Sequence, residues 1–103
     1  MKNLQIYNSE NVPSTDGSSL SGYLNTTYNK LIEKLGKSTF NSPSGDGKVQ
    51  TEWVLEFKGD LYTIYDWKTY SREYTENKLD RFNVGSKVNA NEFIGYLTNI
   101  LNN

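Results

Sequence analysis

No cysteine and no histidine occur in this chain, and the two absences close several chemistries at once. Without thiols there is no disulfide framework, no thiol nucleophile and no thiolate metal site. Without imidazole the usual proton shuttle near neutral pH and the commonest metal ligand are both missing, so neither a metal centre nor a cofactor is expected. Basic runs are lacking too: the 11 Lys and Arg are scattered and the net charge is −1, which argues against direct nucleic-acid binding. A DNA mimic is equally disfavoured, because the 12 Asp and Glu nearly balance the bases instead of forming a dense acidic line. Met1 to Glu10 holds no apolar signal-like region, and nowhere do about 18 apolar residues follow one another. A cytoplasmic protein without membrane contact is the expectation, and the sequon Asn25-Thr26-Thr27 is then coincidental. Alanine occurs once, at Ala90.

What is present must therefore be packed with large rings. Aromatics make up 14% of the 103 residues and apolar residues 35%, enough for one core and not two. A single compact α+β domain spanning 1–103 follows, with a small antiparallel sheet of three to four strands and two helices on one of its faces. Leu4, Ile6 and Val12 suggest a short first strand before the turn cluster Pro13-Ser14-Thr15-Asp16-Gly17. Leu20, Leu24, Tyr28, Leu31, Ile32 and Leu35 recur at helical spacing, with Ser18 or Ser19 as N-cap and Gly36 as the terminating glycine. Thr39-Phe40 reads as a brief extended piece and residues 41–47 as a surface loop.

From Val49 to Lys58 the period is two, so a half-buried strand is predicted, turning at Gly59-Asp60 into a return strand from Leu61 to Lys68. That turn would pair Phe57 with Tyr62, Leu55 with Ile64 and Trp53 with Asp66. One face then carries Trp53, Leu55, Phe57, Tyr62 and Ile64. The other carries Glu52, Val54, Glu56, Thr63, Tyr65 and Trp67, too polar for a second core and too aromatic for an ordinary solvent face. The polar stretch from Thr69 to Arg81 fits a loop or a strand extension, 81–84 a short strand closed by Gly85, and Phe93, Ile94, Leu97, Ile100 and Leu101 the stripe of a last helix capped by Asn89 or Asn91.

Gly45-Asp46-Gly47-Lys48 is the nearest thing to a phosphate loop, but Val49 and a strand follow where Ser or Thr and a helix are needed. Glu52 and Glu56 lie about 13 Å apart by strand rise, too far for paired-carboxylate hydrolysis. Asp66 invites a general-acid reading, against which stands the commoner fate of such an Asp, tied to a backbone amide or a Lys. A small hydrolase without His or Cys is thus a distant third reading. The favoured surface is Tyr65 and Trp67 with Glu52 and Glu56, extended by Tyr70, Arg72 and Tyr74, since Tyr and Trp dominate interface hot spots. A helix covering that face would bury both Glu side chains without partners, at considerable cost.

Ser19-Leu20-Ser21-Gly22-Tyr23, Thr27-Tyr28, Leu35-Gly36, Thr39-Phe40, Lys48-Val49, Glu52-Trp53, Thr63-Ile64-Tyr65-Asp66-Trp67-Lys68 and Phe82-Asn83-Val84-Gly85 together resemble a group of short phage-encoded accessory proteins. The resemblance spans roughly Ser18 to Ser86, and its most specific piece is Glu-Trp followed by Thr-Ile-Tyr-Asp-Trp-Lys. Gly85-Ser86 and Phe82 depart from the group's Gly-Gly and frequent Trp. The resemblance implies a phage accessory product of the kind that blunts host defences, anti-CRISPR inhibitors included; for a target that is a protein or ribonucleoprotein complex in the host cytosol, the mixed charge argues for covering its surface over imitating DNA. The alternative is a protein that sequesters a nucleotide second messenger, with rings stacking a base and Lys48, Lys68, Arg72 or Arg81 meeting phosphate. An aromatic sheet face also suits a homodimer contact.

Overall fold

The computed structural model describes residues 3–103; Met1 and Lys2, the first two positions of the N-terminal stretch considered above, lie outside them. The chain is α+β, as expected, but with five strands and three helices. In order they are β1 (Leu4–Ile6), β2 (Ser19–Leu24), α1 (Tyr28–Leu35), β3 (Glu52–Phe57), β4 (Asp60–Tyr65), α2 (Arg72–Asn77), β5 (Phe82–Ser86) and α3 (Asn91–Leu101). The strands form one sheet in the order β1-β3-β4-β5-β2, every neighbouring pair antiparallel.

The hairpin turns one residue earlier than predicted. Lys58 and Gly59 form the two-residue loop, with φ of 51° and 88°, the doubly positive combination whose twist suits a hairpin. Phe57 consequently pairs with Asp60, Leu55 with Tyr62 and Trp53 with Ile64, replacing the expected Trp53–Asp66 pairing. The register moves by two positions, an even number, so each side chain keeps its predicted face. Asp66 falls beyond the ladder.

The expected long first helix is divided. Ser19–Leu24 is extended and pairs with β5, so neither Ser18 nor Ser19 caps a helix. Leu20 and Leu24 share helical spacing, yet Leu24 packs opposite Phe82 in the core while Leu20 stands opposite Gly85 on the other side. The helix begins only after Thr27, whose hydroxyl accepts from Lys30 N at 3.3 Å, and it ends at Gly36 as expected. At the C-terminal helix neither expected asparagine is the cap: Ala90 holds that position with no side-chain cap bond, and Asn89 Oδ1 accepts from Asn91 N at 2.8 Å.

Trp53, Leu55, Phe57, Tyr62, Ile64, Phe82 and Val84 build the floor of the core, and Leu31 and Leu35 of α1 with Phe93, Leu97 and Leu101 of α3 close it. Its rings interlock: Trp53 lies between Tyr28 and Phe82 at 6.0 and 6.2 Å, and Tyr62 stacks on Phe93 at 4.1 Å. The Trp53 indole is fully buried and donates to Gly36 O at 3.0 Å, so its polar handle is satisfied. No helix among the described residues is long and apolar enough to cross a membrane.

The opposite face is partly covered. β1 and β2 lie at opposite edges of the sheet, so residues 7–18 must travel from edge to edge. They cross the face that carries Glu52, and Thr15 and Ser18 stand beside Glu52, Thr63 and Gly85. Val54 and Thr63 are buried there. The face predicted to be free is thus partly covered by this crossing segment, although by no helix.

Candidate functional site

Across the open face, beside the crossing segment, runs a cross-strand row. Glu52 of β3 opposes Tyr65 of β4, Tyr65 opposes Asn83 of β5, and Asn83 opposes Tyr23 of β2. Side chains of directly opposed residues share a face at about 4.5–5.5 Å between Cβ atoms, so the four form a continuous strip. The next row is Thr63, Gly85 and Leu20.

A β-bulge makes this strip apolar at its β2 end. The register slips between Leu20 and Gly22, leaving Ser21 as the extra residue. In a regular strand Leu20 and Tyr23, three positions apart, would face opposite ways; the inserted residue turns both to the open side. Ser21 holds the bulge through its hydroxyl, which donates to Ser19 O at 3.0 Å and to Ser86 O at 3.3 Å. Leu20 and Tyr23 are 49% and 43% exposed.

Trp67 flanks the row from a corner just past β4, 47% exposed, with its ring edge-on to Tyr65 at 6.2 Å. The corner is built from Asp66, which is buried. One carboxylate oxygen accepts from Gln50 N at 2.8 Å and Thr51 N at 3.1 Å, the other from the hydroxyls of Thr69 at 3.1 Å and Thr75 at 2.7 Å. Lys68 N donates to Lys48 O at 2.7 Å. This network holds Lys68 and Tyr70 in the left-handed region, at φ of 57° and 54°, a conformation non-glycine residues adopt at a cost of order 1–3 kcal/mol and one that clusters at working sites. Asp66 therefore positions Trp67 by tying backbone amides, the bland alternative to its general-acid reading.

Rings and cations meet here repeatedly. The Arg81 guanidinium stacks 4.2 Å from the Tyr23 ring centre, and the Lys48 and Lys68 ammonium groups lie 5.9 and 5.6 Å from that of Trp67. Tyr23, Tyr65 and Trp67 with Leu20, Asn25, Leu79, Asp80, Arg81 and Asn83 line an open cleft of about 910 Å³, at the upper end of the size range for small-ligand sites. Burial pushes the Tyr65 hydroxyl above its ordinary pKa; the hydrogen bond with Asn83 opposes that rise and the Glu52 carboxylate adds to it.

Next to the cleft, and sharing Tyr65 with it, lies a smaller recess of about 180 Å³ bounded by Thr15, Ser18, Ser19, Glu52, Thr63 and Gly85. Gly85 is required here: a Cβ would come within 2.7 Å of Thr63 Oγ1 and 3.4 Å of the Tyr65 ring. Burial pushes the Glu52 carboxyl above its ordinary value. The two leading members of the expected surface, Tyr65 and Trp67, come together in the cleft with Glu52 as neighbour.

The other members of that surface are placed elsewhere. Glu56 sits toward the opposite end of β3, where it accepts from the Tyr7 hydroxyl at 2.9 Å. Arg72 is a structural tie: it meets Glu76 Oε2 at 2.6 Å, Gln50 O at 2.8 Å, the Tyr28 hydroxyl at 2.9 Å and Asn41 Oδ1 at 2.6 Å, and lies 5.2 Å from the Tyr28 ring centre. The stretch read as a loop or strand contains α2, and Tyr70 and Tyr74, though exposed, do not line the cleft. Sequence reasoning missed Leu20 and Tyr23 as site residues. The signal available was Gly22 inside Ser19–Leu24, an isolated glycine of the kind that marks a bulge in a strand.

Among the described residues no cluster of acidic side chains could hold a metal ion. Compared with protein-family models, with curated proteins and with solved structures, the chain matches none.

Proposed function

We propose that this chain is a non-enzymatic binding protein that works stoichiometrically through the cleft formed by Tyr23, Tyr65, Trp67 and Arg81. The observation that carries the reading is the outward presentation of Leu20, Tyr23 and Trp67, on a bulge and a strained corner that other residues hold in place. A sheet and corner serving only stability would bury these large apolar side chains. Of the carboxylates weighed for acid and base work, Asp66 is committed to backbone amides and Glu56 to Tyr7, while Glu52 stands apart in its recess.

The setting implied by the resemblance is a phage counter-defence product, and we place its target among host defence complexes such as a CRISPR effector, where the mixed charge suits occlusion of a protein surface. Titration of a purified effector complex, followed by size-exclusion chromatography, tests it. Wild type should co-elute at a fixed ratio and the Tyr23→Ala/Trp67→Ala double variant should not; equal retention of both would overturn the assignment of the cleft.

One observation favours a second reading, in which the cleft sequesters a nucleotide messenger. Three cations, Arg81, Lys48 and Lys68, already lie over the rings that would stack a base, and each base–ring stack contributes about 1–3 kcal/mol. Arg72, considered for phosphate contact, is occupied by Glu76, Gln50, Tyr28 and Asn41 and drops out of that set.

A further inference from the structure

Glu52 is the one member of the cross-strand row whose side chain has no assigned work. It opposes Tyr65 directly and borders two recesses, one with Phe40, Pro43 and Val49 and one that it shares with Tyr65, bounded by the Thr15, Ser18, Ser19 and Thr63 hydroxyl residues and by the bare backbone of Gly85. Neither a hydrogen bond nor an ion pair to its carboxylate occurs among the described residues, and burial is the cause that lifts its pKa. The recess thins the water around this carboxylate without sealing it, and a ligand that supplies donors would take the place of that water.

The recess adjoins the cleft through Tyr65, which borders both. A planar base resting against Tyr65 with its phosphate toward Arg81 would turn its hydrogen-bonding edge to Glu52. A carboxylate only accepts, and its two oxygens match two parallel N–H groups. Among the common bases guanine offers such a pair, the ring N1–H and the 2-amino group, whereas adenine presents an unprotonated ring nitrogen beside its amino group. The Thr63 and Ser18 hydroxyls, which donate or accept, suit the remaining polar atoms of the base.

We infer that Glu52 is the base-reading residue of this site and that the recess selects a guanine nucleotide. The inference rests on the nucleotide reading of the cleft, and one set of titrations separates the two. GMP, IMP and AMP are titrated against the full chain at neutral pH, reading tryptophan fluorescence, in which exposed Trp67 responds to stacking while Trp53 is sealed in the core. GMP should bind at least about tenfold more tightly than AMP, as a bidentate pair contributes, with IMP, which keeps N1–H and lacks the 2-amino group, between them. Glu52→Gln should bring GMP down to the level of AMP and leave AMP unchanged, with an unaltered circular dichroism spectrum. Equal binding of all three nucleotides to wild type would overturn the role of Glu52 and leave the nucleotide reading standing. Binding of none would overturn both.

Discussion

Replacing Asp66 with alanine is the sharpest probe of how the site is built. The carboxylate is 1% exposed and holds two backbone amides, Gln50 N and Thr51 N, and two hydroxyls, those of Thr69 and Thr75. The hydroxyls lie 2.8 Å from each other and can pair once it is gone. The amides have no such recourse. At about 1–3 kcal/mol for each buried donor left unsatisfied, Asp66→Ala should cost about 2–6 kcal/mol, a large part of the roughly 5–15 kcal/mol typical of a domain. Asp66→Asn keeps an oxygen for the amides and offers its NH2 to the hydroxyls, so it should cost about 1 kcal/mol. Urea unfolding followed by circular dichroism measures both, through the midpoint at unchanged slope. Trp67 emission should also move as the corner relaxes. An Ala variant within about 1 kcal/mol of wild type would refute the anchoring role, and with it the account of how Trp67 is presented.

Three further predictions follow from single contacts. Gly85→Ala drives a methyl group to 2.7 Å from Thr63 Oγ1 and 3.4 Å from the Tyr65 ring; a loss of about 1–3 kcal/mol in thermal or chemical unfolding, with weakened ligand binding, is expected. Arg72→Lys should cost about 1.5–3 kcal/mol in the same assays, because one ammonium cannot serve partners on Glu76, Gln50, Tyr28 and Asn41 together. Glu52 has its folded pKa above the ordinary 4.5, so its favourable contribution is full below that value and is lost as pH rises through the folded one. Glu52→Gln should therefore melt higher than wild type at pH 7, with the gap closing as pH falls toward 4; a gap independent of pH would contradict the burial of this carboxyl.

Strand period made the central hairpin legible, since Trp53, Leu55 and Phe57 alternate with Glu52, Val54 and Glu56 whatever the exact turn. The turn itself was less so, because Lys58 gives no sign that it will adopt φ of 51°. Ser19–Leu24 was misread for a physical reason: its bulge places Leu20 and Tyr23 on one side and Leu24 on the other, a spacing that imitates a helix when read linearly. The site divided along the same line. Tyr65 and Trp67 sit on the regular hairpin and its exit, where face can be deduced from period, whereas Tyr23 arrives by a bulge and a crossover from the far edge. Arg72 reads as a surface cation in the sequence because nothing local reveals that Gln50, Tyr28 and Asn41, distant in sequence, converge on it.

Paired unfolding and binding measurements on the Tyr23→Ala/Trp67→Ala variant bear most directly on whether this aromatic strip exists to meet a ligand. With both rings nearly half exposed, unfolding free energy should stay within about 1–2 kcal/mol of wild type while binding of nucleotide or effector complex falls at least tenfold. A loss of about 3–5 kcal/mol, the cost of removing a core ring, with binding retained would make the strip part of the scaffold and remove the site.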